Sequence, residues 1–336
     1  MDFAFFGLQE APFDLTPNAR FLYLTPAHQE ALAQLLYGVR QRKGFILLTG
    51  EVGTGKTTLL QALIEQLDGT SAVAFVTNPM FGFDGILECM LEDLGIAKPM
   101  EATSARRLIA LQAFLMERQR AGQNTVLVVD EAQDLDSQSL KEIRLLSNFE
   151  MGNEKLMQIV LAGQPELRVK LEQPDLRPLN QRIGLRCQIP PLTPSQVHEY
   201  IGARIRVAGA QDVDLFSKDA MSRIAEYSAG IPRLVNTVCD HCLLFAYADQ
   251  VRRIDRDIVE QAIGYLEDGR PRPAKRRLLR GWRMTRPGWV ALAGSASAAG
   301  LAVLMTAHPE ETRRAFDLWA SSLSGLARSA RALLGL

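Results

Sequence analysis

The residues GEVGTGKT (50–57) carry the spacing G-x-x-x-x-G-K-[ST]. Gly50, Gly53 and Gly55 let backbone N–H groups curl around phosphate oxygens without Cβ clashes, with Glu51, Val52, Thr54 and Thr58 counted among the residues that enclose them. Lys56 is placed to reach the β- and γ-phosphates of a nucleoside triphosphate, and the Thr57 hydroxyl to hold Mg²⁺. A second cluster, VLVVDEAQD (126–134), ends an apolar run in two carboxylates. Asp130 reads as a direct or second-sphere Mg²⁺ holder and Glu131 as the residue that polarises an attacking water. Glutamate directly after the aspartate favours a hydrolysing machine over a small-molecule kinase.

Four further positions bear on the chemistry. Gln164, at the end of MQIVLAGQ, can orient water or sense a γ-phosphate; as part of Gly163-Gln164-Pro165 it also fits a plain turn. Arg182 and Arg186, in LRPLNQRIGLRCQI (176–189), stand just before and at the last strand, where an arginine can point at a neighbouring subunit's nucleotide. Arg182 is the preferred one of the two, with surface ion pairing as the alternative. Arg233, in AGIPRLVN, opens a helix whose Gly-Ile-Pro lead-in suits an N-terminal turn, and is expected to reach the γ-phosphate across an inter-domain cleft.

The elements that must position these groups are legible as periodicity. Five short β-rich runs, FILLT (45–49), VAFVT (73–77), VLVVD (126–130), MQIVLA (157–162) and RCQI (186–189), alternate with helical stretches. Nearly continuous apolar strands separated by helices predict a parallel five-stranded α/β sheet covered on both faces. Ligands of such sheets bind at the C-terminal strand ends, where both motifs fall. The strand ending at Gln164 is expected between the phosphate-loop strand and the Asp130 strand. Before the core, residues 1–43 form an N-terminal segment with Pro12, Pro17 and Pro26, then a helix with Ala31, Leu35 and Val39 on one face and Leu32 and Leu36 beside them. The core is expected over 44–191. Residues 192–268 lose the strand signal and predict an all-helical domain, with starts at Thr193-Pro194, Ser217 and Asp255 and a stop at Gly230.

The remainder differs in kind. Residues 269–286 form a basic linker: seven basic side chains and no acidic one fall within 272–286, among them Lys275, Arg276, Arg277, Arg280, Arg283 and Arg286. A twenty-residue uncharged run, 288–307, follows. As a helix it rises ~30 Å, the thickness of a bilayer's hydrocarbon core, so a single span over 287–307 is expected. The cations put residues 1–286 in the cytoplasm and 308–336 across the inner membrane, the latter as an amphipathic helix with Phe316, Trp319, Leu323, Leu326, Ala330 and Leu333 at helical spacing.

Composition narrows the rest. With 336 residues and 47% hydrophobic content the chain exceeds one average domain and can bury a large core. Thirty-eight basic against thirty-eight acidic residues give a formal net charge of zero, so no global field marks a nucleic-acid binder. Four cysteines make no disulfide scaffold, and Cys239-x-x-Cys242 without a second ligand pair reads as helical core. The four histidines make no ligand spacing. Phe3, Phe5, Phe6 and Phe13 read first as core aromatics, with an adenine-side wall or a partner patch as the alternatives.

Taken in order, FFGLQEAPFDLTPNARFLYLTPAHQEALAQLLYGV (5–39), GEVGTGKTT, DEAQ, LAGQPEL, L-x-QRI and GIPR-x-V-N resemble an AAA+ ATPase of the ExeA/GspA type, associated with type II secretion and related envelope export, over roughly residues 5–268. The resemblance implies a P-loop NTPase core with a helical lid, ATP and Mg²⁺ as ligands, ATP hydrolysis coupled to homo-oligomeric ring assembly, and envelope secretion components as partners. Relatives of this type carry a large peptidoglycan-binding domain after their span, where this chain has residues 308–336. Two other readings stay open. A DNA-handling ATPase of the transposition-helper type shares the core and would use the basic run; the zero net charge, the missing helix-turn-helix pattern and the adjacent apolar run oppose it, so nucleic acid is not an expected partner. A nucleotide-gated scaffold with slow hydrolysis is the third.

Overall fold

The computed structural model describes residues 1–268 apart from 17–18, 22, 68, 70, 98–102, 153 and 211–213. The basic linker 269–286, the expected span at 287–307 and the tail 308–336 lie outside the described residues. Among those described, no helix is long and apolar enough to cross a membrane.

Helix α1 (Pro26–Arg40) starts on Thr25, whose hydroxyl caps the His28 N–H, with Pro26 in the first turn where its missing donor costs nothing. Strand β1 (Phe45–Gly50) leads through the glycine-rich loop into α2 (Lys56–Leu67), and β2 (Ser71–Val76) follows. Helices α3 (Gly82–Asp93) and α4 (Ser104–Arg120) come next, then β3 (Asn124–Val129) and α5 (Ser137–Leu146). A two-stranded antiparallel hairpin of β4 (Glu150–Met151) and β5 (Glu154–Lys155), for which the periodicity carried no signal, precedes β6 (Gln158–Gly163). The short helices α6 (Pro165–Leu171) and α7 (Arg177–Asn180) connect it to β7 (Ile183–Ile189).

The five long strands form one parallel sheet in the order β2-β3-β6-β1-β7. The Gln164 strand therefore lies between the phosphate-loop strand and the acidic strand, as expected. Side chains alternate between two cores, as strand geometry requires. Ile46, Leu48, Val126, Val128, Val160 and Ala162 pack with α1 and α2 on one face, while Phe45, Leu47, Leu127, Val129, Ile159 and Leu161 pack with α3 to α7 on the other. Strands β1 and β6 are buried along their whole length, whereas β7 is an edge strand that alternates buried and exposed positions. That alternation explains why its first residues, Ile183 to Leu185, escaped an expectation based on continuous apolar runs.

The second layer is helical: α8 (Pro194–Val207), α9 (Lys218–Ser228), α10 (Pro232–Ala248) and α11 (Arg256–Asp268). Thr193 and Gln196 close a reciprocal capping box on α8, and Ser217 caps α9. The Asp255 carboxylate accepts from the Asp257 and Ile258 N–H groups at the start of α11. Helix α9 stops where Ala229 and Gly230 both turn left-handed. The Gly230 carbonyl accepts the Leu192 N–H (2.8 Å), and Gly230 lies so close to Leu192 that a Cβ would collide with the Leu192 carbonyl, pinning the start of this layer to the turn before α10.

The N-terminal residues divide between the layers. Phe6, Leu8, Phe13 and Phe21 are buried in the core of the helical layer, with Phe3 and Phe5 packed against it, whereas Ala31, Leu32, Leu35 and Val39 of α1 pack under the sheet. Phe13 meets Phe216 edge-to-face at 5.9 Å. Cys239 and Cys242 are fully buried in the same helical core, and among the described residues no cluster of three metal-ligating side chains occurs. If the first residues are integral to this core, Phe13→Ala costs about 3–5 kcal/mol, as other buried Phe→Ala changes do. Denaturant unfolding followed by far-ultraviolet circular dichroism measures it, and a loss within experimental error would show the segment to be a loose appendage.

Candidate active site

The parallel arrangement brings the C-terminal ends of β1, β3 and β6 to one edge. At the end of β1 the loop is folded on itself: Lys56 Nζ donates to the Gly50 and Glu51 carbonyls at 3.0 and 3.1 Å, and Thr54 Oγ1 donates to the Glu51 carbonyl at 2.8 Å. Lys56 is only 5% exposed, and burial lowers its ammonium pKa, against the pull of Glu131 and Asp130.

In the first turn of α2, Thr57 Oγ1 donates to Asp130 Oδ2 at 2.6 Å. Asp130, at 3% exposure, accepts the Glu131 N–H on its other oxygen at 2.9 Å. Burial raises its pKa despite those two hydrogen bonds. Glu131 adopts a left-handed conformation (φ 49°), which costs a non-glycine residue roughly 1–2 kcal/mol. The Asp130 carboxylate secures this turn, which swings the Glu131 side chain back over the strand end. There Gln133 Nε2 donates to Glu131 Oε2 at 2.7 Å, and Gln164 Nε2 reaches the same oxygen at 3.4 Å. Gln133 Oε1 accepts the Gln164 N–H at 3.0 Å, so one glutamine joins the acidic strand to the strand beside it. Lys170 of α6 donates to the Gln133 and Leu135 carbonyls and fixes that corner.

A cavity of about 370 Å³ opens over the loop. Its floor is residues 52–58, with Glu131 on one side. The helical layer supplies Tyr200, Arg204, Arg233 and Asn236, and the N-terminal segment supplies Asp14, Phe21 and Tyr23. Arg233 lies in the first turn of α10. Its N–H donates to the Gly53 carbonyl at 3.3 Å, and a Cβ on Gly53 (φ 78°) would sit 2.6 Å from the Arg233 Cβ. Arg204 is buried between the rings of Phe21 and Tyr200, with its guanidinium 4.8 and 5.6 Å from their centres. It donates to the Tyr200 hydroxyl (2.9 Å), the Asp14 carbonyl (3.2 Å) and the Pro12 carbonyl, all neutral oxygens. The Tyr200 hydroxyl in turn donates to Asn236 at 2.9 Å.

Of the residues singled out from the sequence, Val52, Gly53, Thr54, Gly55, Lys56, Thr57, Thr58, Glu131 and Arg233 line this one cavity. Asp130 joins through Thr57, and Gln164 through Glu131 and Gln133. Gly50 and Glu51 lie behind the loop as acceptors for Lys56. Arg182 and Arg186 are not among the residues lining it. Arg182 is exposed and donates to Ser147 (2.6 Å) and Asn148 (2.7 Å) after α5; Arg186 donates to Asn180 across the start of β7. Sequence reasoning missed Gln133, His28, Tyr200, Arg204 and Asn236. Gln133 was inside the quoted DEAQ motif; Tyr200 and Arg204 carried only an i, i+4 spacing on a helix.

A strand inserted between the phosphate-loop strand and the acidic strand, with a helical layer leaning over the loop, is the AAA-type arrangement of the P-loop NTPases. The family model described as an AAA domain matches residues 39–171, so this stretch of the chain carries an AAA-type P-loop fold. Its more particular resemblance also holds: over 244 residues it is 41% identical to General secretion pathway protein A of Aeromonas hydrophila, covering 73% of this chain and 44% of that protein. A fainter relative, an uncharacterized HTH-type transcriptional regulator of Methanocaldococcus jannaschii, is 23% identical over 176 residues, 52% of this chain and 42% of the other. The chain thus matches less than half the length of either. Among solved structures, Cdc6p of Pyrobaculum aerophilum aligns with a TM-score of 0.56 at 20% identity over 78% of this chain and 70% of its own. The Aeropyrum pernix ORC2 protein aligns at 0.56 and 17% over 78% and 73%. At such identities the likeness concerns the fold.

The Asp130 environment generates a pH dependence. A carboxyl whose folded pKa exceeds its unfolded one contributes stability that is complete below the unfolded value and is lost as pH rises through the folded value. Asp130→Asn is therefore expected to melt a few degrees above wild type at pH 7, with the gap closing towards pH 4. Thermal scans without nucleotide or Mg²⁺ check this, and a variant that melts lower at pH 7 contradicts it.

Proposed function

We propose that the chain is an ATPase that binds and hydrolyses ATP–Mg²⁺ to drive or regulate assembly of a bacterial envelope secretion or export system. In this reading it works as a homo-oligomeric ring anchored in the inner membrane by residues 287–307, with the ATPase region cytoplasmic and residues 308–336 periplasmic. The observation that carries the catalytic part is the 2.6 Å contact between Thr57 and Asp130 beside the buried Lys56, with Glu131 on the same cavity. Support for the cellular role is the 41% identity to a protein named for the general secretion pathway.

The donor set fits magnesium. A hydroxyl and a carboxylate, both hard oxygens, meet at the mouth of the loop, and a small octahedral cation is held through one or two such groups plus phosphates and waters. When bound there, Mg²⁺ supplies positive charge to the phosphate oxygens. Loop amides and the Lys56 ammonium cradle the phosphates, the ammonium exchanging its two carbonyl partners for phosphate oxygens. Glu131 takes the proton of the attacking water. Because both Gln133 and Gln164 engage its Oε2, Oε1 is left to accept that proton. Arg233, riding on α10, neutralises charge on the γ-phosphate from the lid side, and Arg182 does so from a neighbouring subunit.

Lys56→Ala is expected to abolish turnover and nucleotide binding together, whereas Glu131→Gln retains binding and lowers kcat roughly 10²–10⁴-fold. Steady-state phosphate release and calorimetric titration measure the two effects; turnover unchanged in both variants ends the catalytic reading. Gln133→Leu leaves KM near wild type and lowers kcat by about tenfold or more, because it removes a hydrogen bond to the base without touching the phosphates. Fractionation of the full chain against a version ending at residue 280 tests the anchor: both in the soluble fraction would refute it.

A further inference from the structure

Helix α1 delivers one side chain to the phosphate loop that none of the motifs accounts for. His28 lies in its first turn, 6% exposed, with Nε2 3.0 Å from the Thr54 carbonyl oxygen and Nδ1 2.6 Å from Thr25 Oγ1. A carbonyl oxygen only accepts, so Nε2 bears the hydrogen and donates to the loop. The Thr25 hydroxyl on the opposite ring nitrogen sets the ring's orientation. Capping of α1 needs none of this, since Thr25 already satisfies the His28 N–H through its side chain. The ring is a bridge between two elements.

The consequence lies in the peptide that His28 holds. In a trans peptide the carbonyl of one residue and the N–H of the next point in opposite directions, and no peptide bond among the described residues is cis. Fixing the Thr54 carbonyl towards His28 therefore sends the Gly55 N–H the other way. Gly55 adopts φ 100°, open to glycine alone, so the loop has no side chain of its own at this point to hold the peptide plane; a Cβ there would face His28 Nε2 at 3.5 Å. The other bonds on this stretch, from the Thr54 hydroxyl and N–H to the Glu51 carbonyl and from the Leu59 N–H to the Gly55 carbonyl, each lie at least one rotatable bond away from that plane.

We propose that His28 is a positioning residue of the phosphate loop, holding the Thr54–Gly55 peptide so that the Gly55 N–H is aimed at the outer phosphates before nucleotide arrives. This rests on the nucleotide reading given above. It assigns a task to the first turn of α1, and it makes phosphate affinity depend on a helix outside the loop. Pre-orienting the donor removes an ordering step from binding, so its loss is felt in affinity for the phosphates and much less in the stability of the fold.

The test uses the full chain and calorimetric titration with ADP and with AMP, since an amide aimed at the outer phosphates separates the two. His28→Leu keeps the volume and removes the donor; ADP binding is expected to weaken about tenfold, as for one lost hydrogen bond, with AMP binding unchanged. His28→Gln, whose side-chain amide can donate from the position of Nε2, recovers ADP affinity, and His28→Asn, whose amide falls short at the Nδ1 position, does not. That pair keeps the comparison valid even if the Leu variant fails to fold. Equal weakening of ADP and AMP, or ADP affinity unaffected by loss of the donor, overturns the role of His28 alone. A wild-type chain that takes up neither ADP nor ATP overturns the nucleotide reading and this inference with it.

Discussion

Strands β1 and β6 are buried along their whole length and β3 along nearly all of it, and a charge within any of them would sit in an apolar sheet without water or partner. Charge is tolerated only where the strands end. Because the three run parallel and adjacent in the order β3-β6-β1, their ends fall on the same edge, and Asp130, Gln164 and the Lys56 loop must meet there. Even at that edge the two central charges are buried, and each titrates against its charged form: Lys56 downward, Asp130 upward. Lys56 satisfies its ammonium with backbone carbonyls and Asp130 its carboxylate with a hydroxyl and an amide, all neutral groups. Such an arrangement is electrostatically receptive, since a polyanion with its cation supplies each group with an opposite charge at short range.

The upper wall of the cavity obeys a different constraint. The N-terminal residues up to Phe21 belong to the helical core by burial, while α1 belongs to the sheet. Tyr23 packs against the helical core and Leu24 under the sheet, so the crossing falls between these two, both of which line the cavity. Arg204 holds the crossing from the helical side, as a buried guanidinium between two aromatic rings with backbone carbonyls of Pro12 and Asp14 as acceptors. His28 holds it from the sheet side through the Thr54 carbonyl. Gly53 gives the third contact, since only a residue without Cβ lets α10 bring Arg233 against the loop. The cavity is therefore closed by packing between layers, with polar groups placed by that packing.

Much of this was legible in advance, for reasons that can be stated residue by residue. Each helix start that was read correctly, at Thr193, Ser217 and Asp255, is a side-chain oxygen satisfying local N–H groups within three residues, so the information is carried by adjacent residues. The buried strands announced themselves because a strand covered on both faces has no polar positions to interrupt it. The edge strand β7 and the hairpin β4–β5 were harder: alternating or very short strands take their identity from the neighbour they pair with. Gln133 was visible only as a letter in DEAQ, because its role is to join Glu131 to Gln164, thirty-one residues beyond it. Arg182 and Arg186 were noticed for their place before the edge strand, and within the chain they are occupied by Ser147, Asn148 and Asn180.

The linear sequence by itself determined the chemistry: a loop able to wrap phosphate, a carboxylate pair after an apolar strand, and an arginine at a helix start. Glycine conformations, caps and two-residue alternation act over a few residues, so they survive in a string of letters. Tertiary structure alone decided which distant groups share the cavity. That Phe6, Leu8, Phe13 and Phe21 belong to the helical core, that a buried arginine from α8 braces their segment, and that a histidine on α1 holds the loop peptide all depend on contacts between residues far apart in the chain, 26 positions for His28 and Thr54 and 192 for Pro12 and Arg204. Such contacts arise from the packing of whole layers, and no local pattern of residue types encodes them.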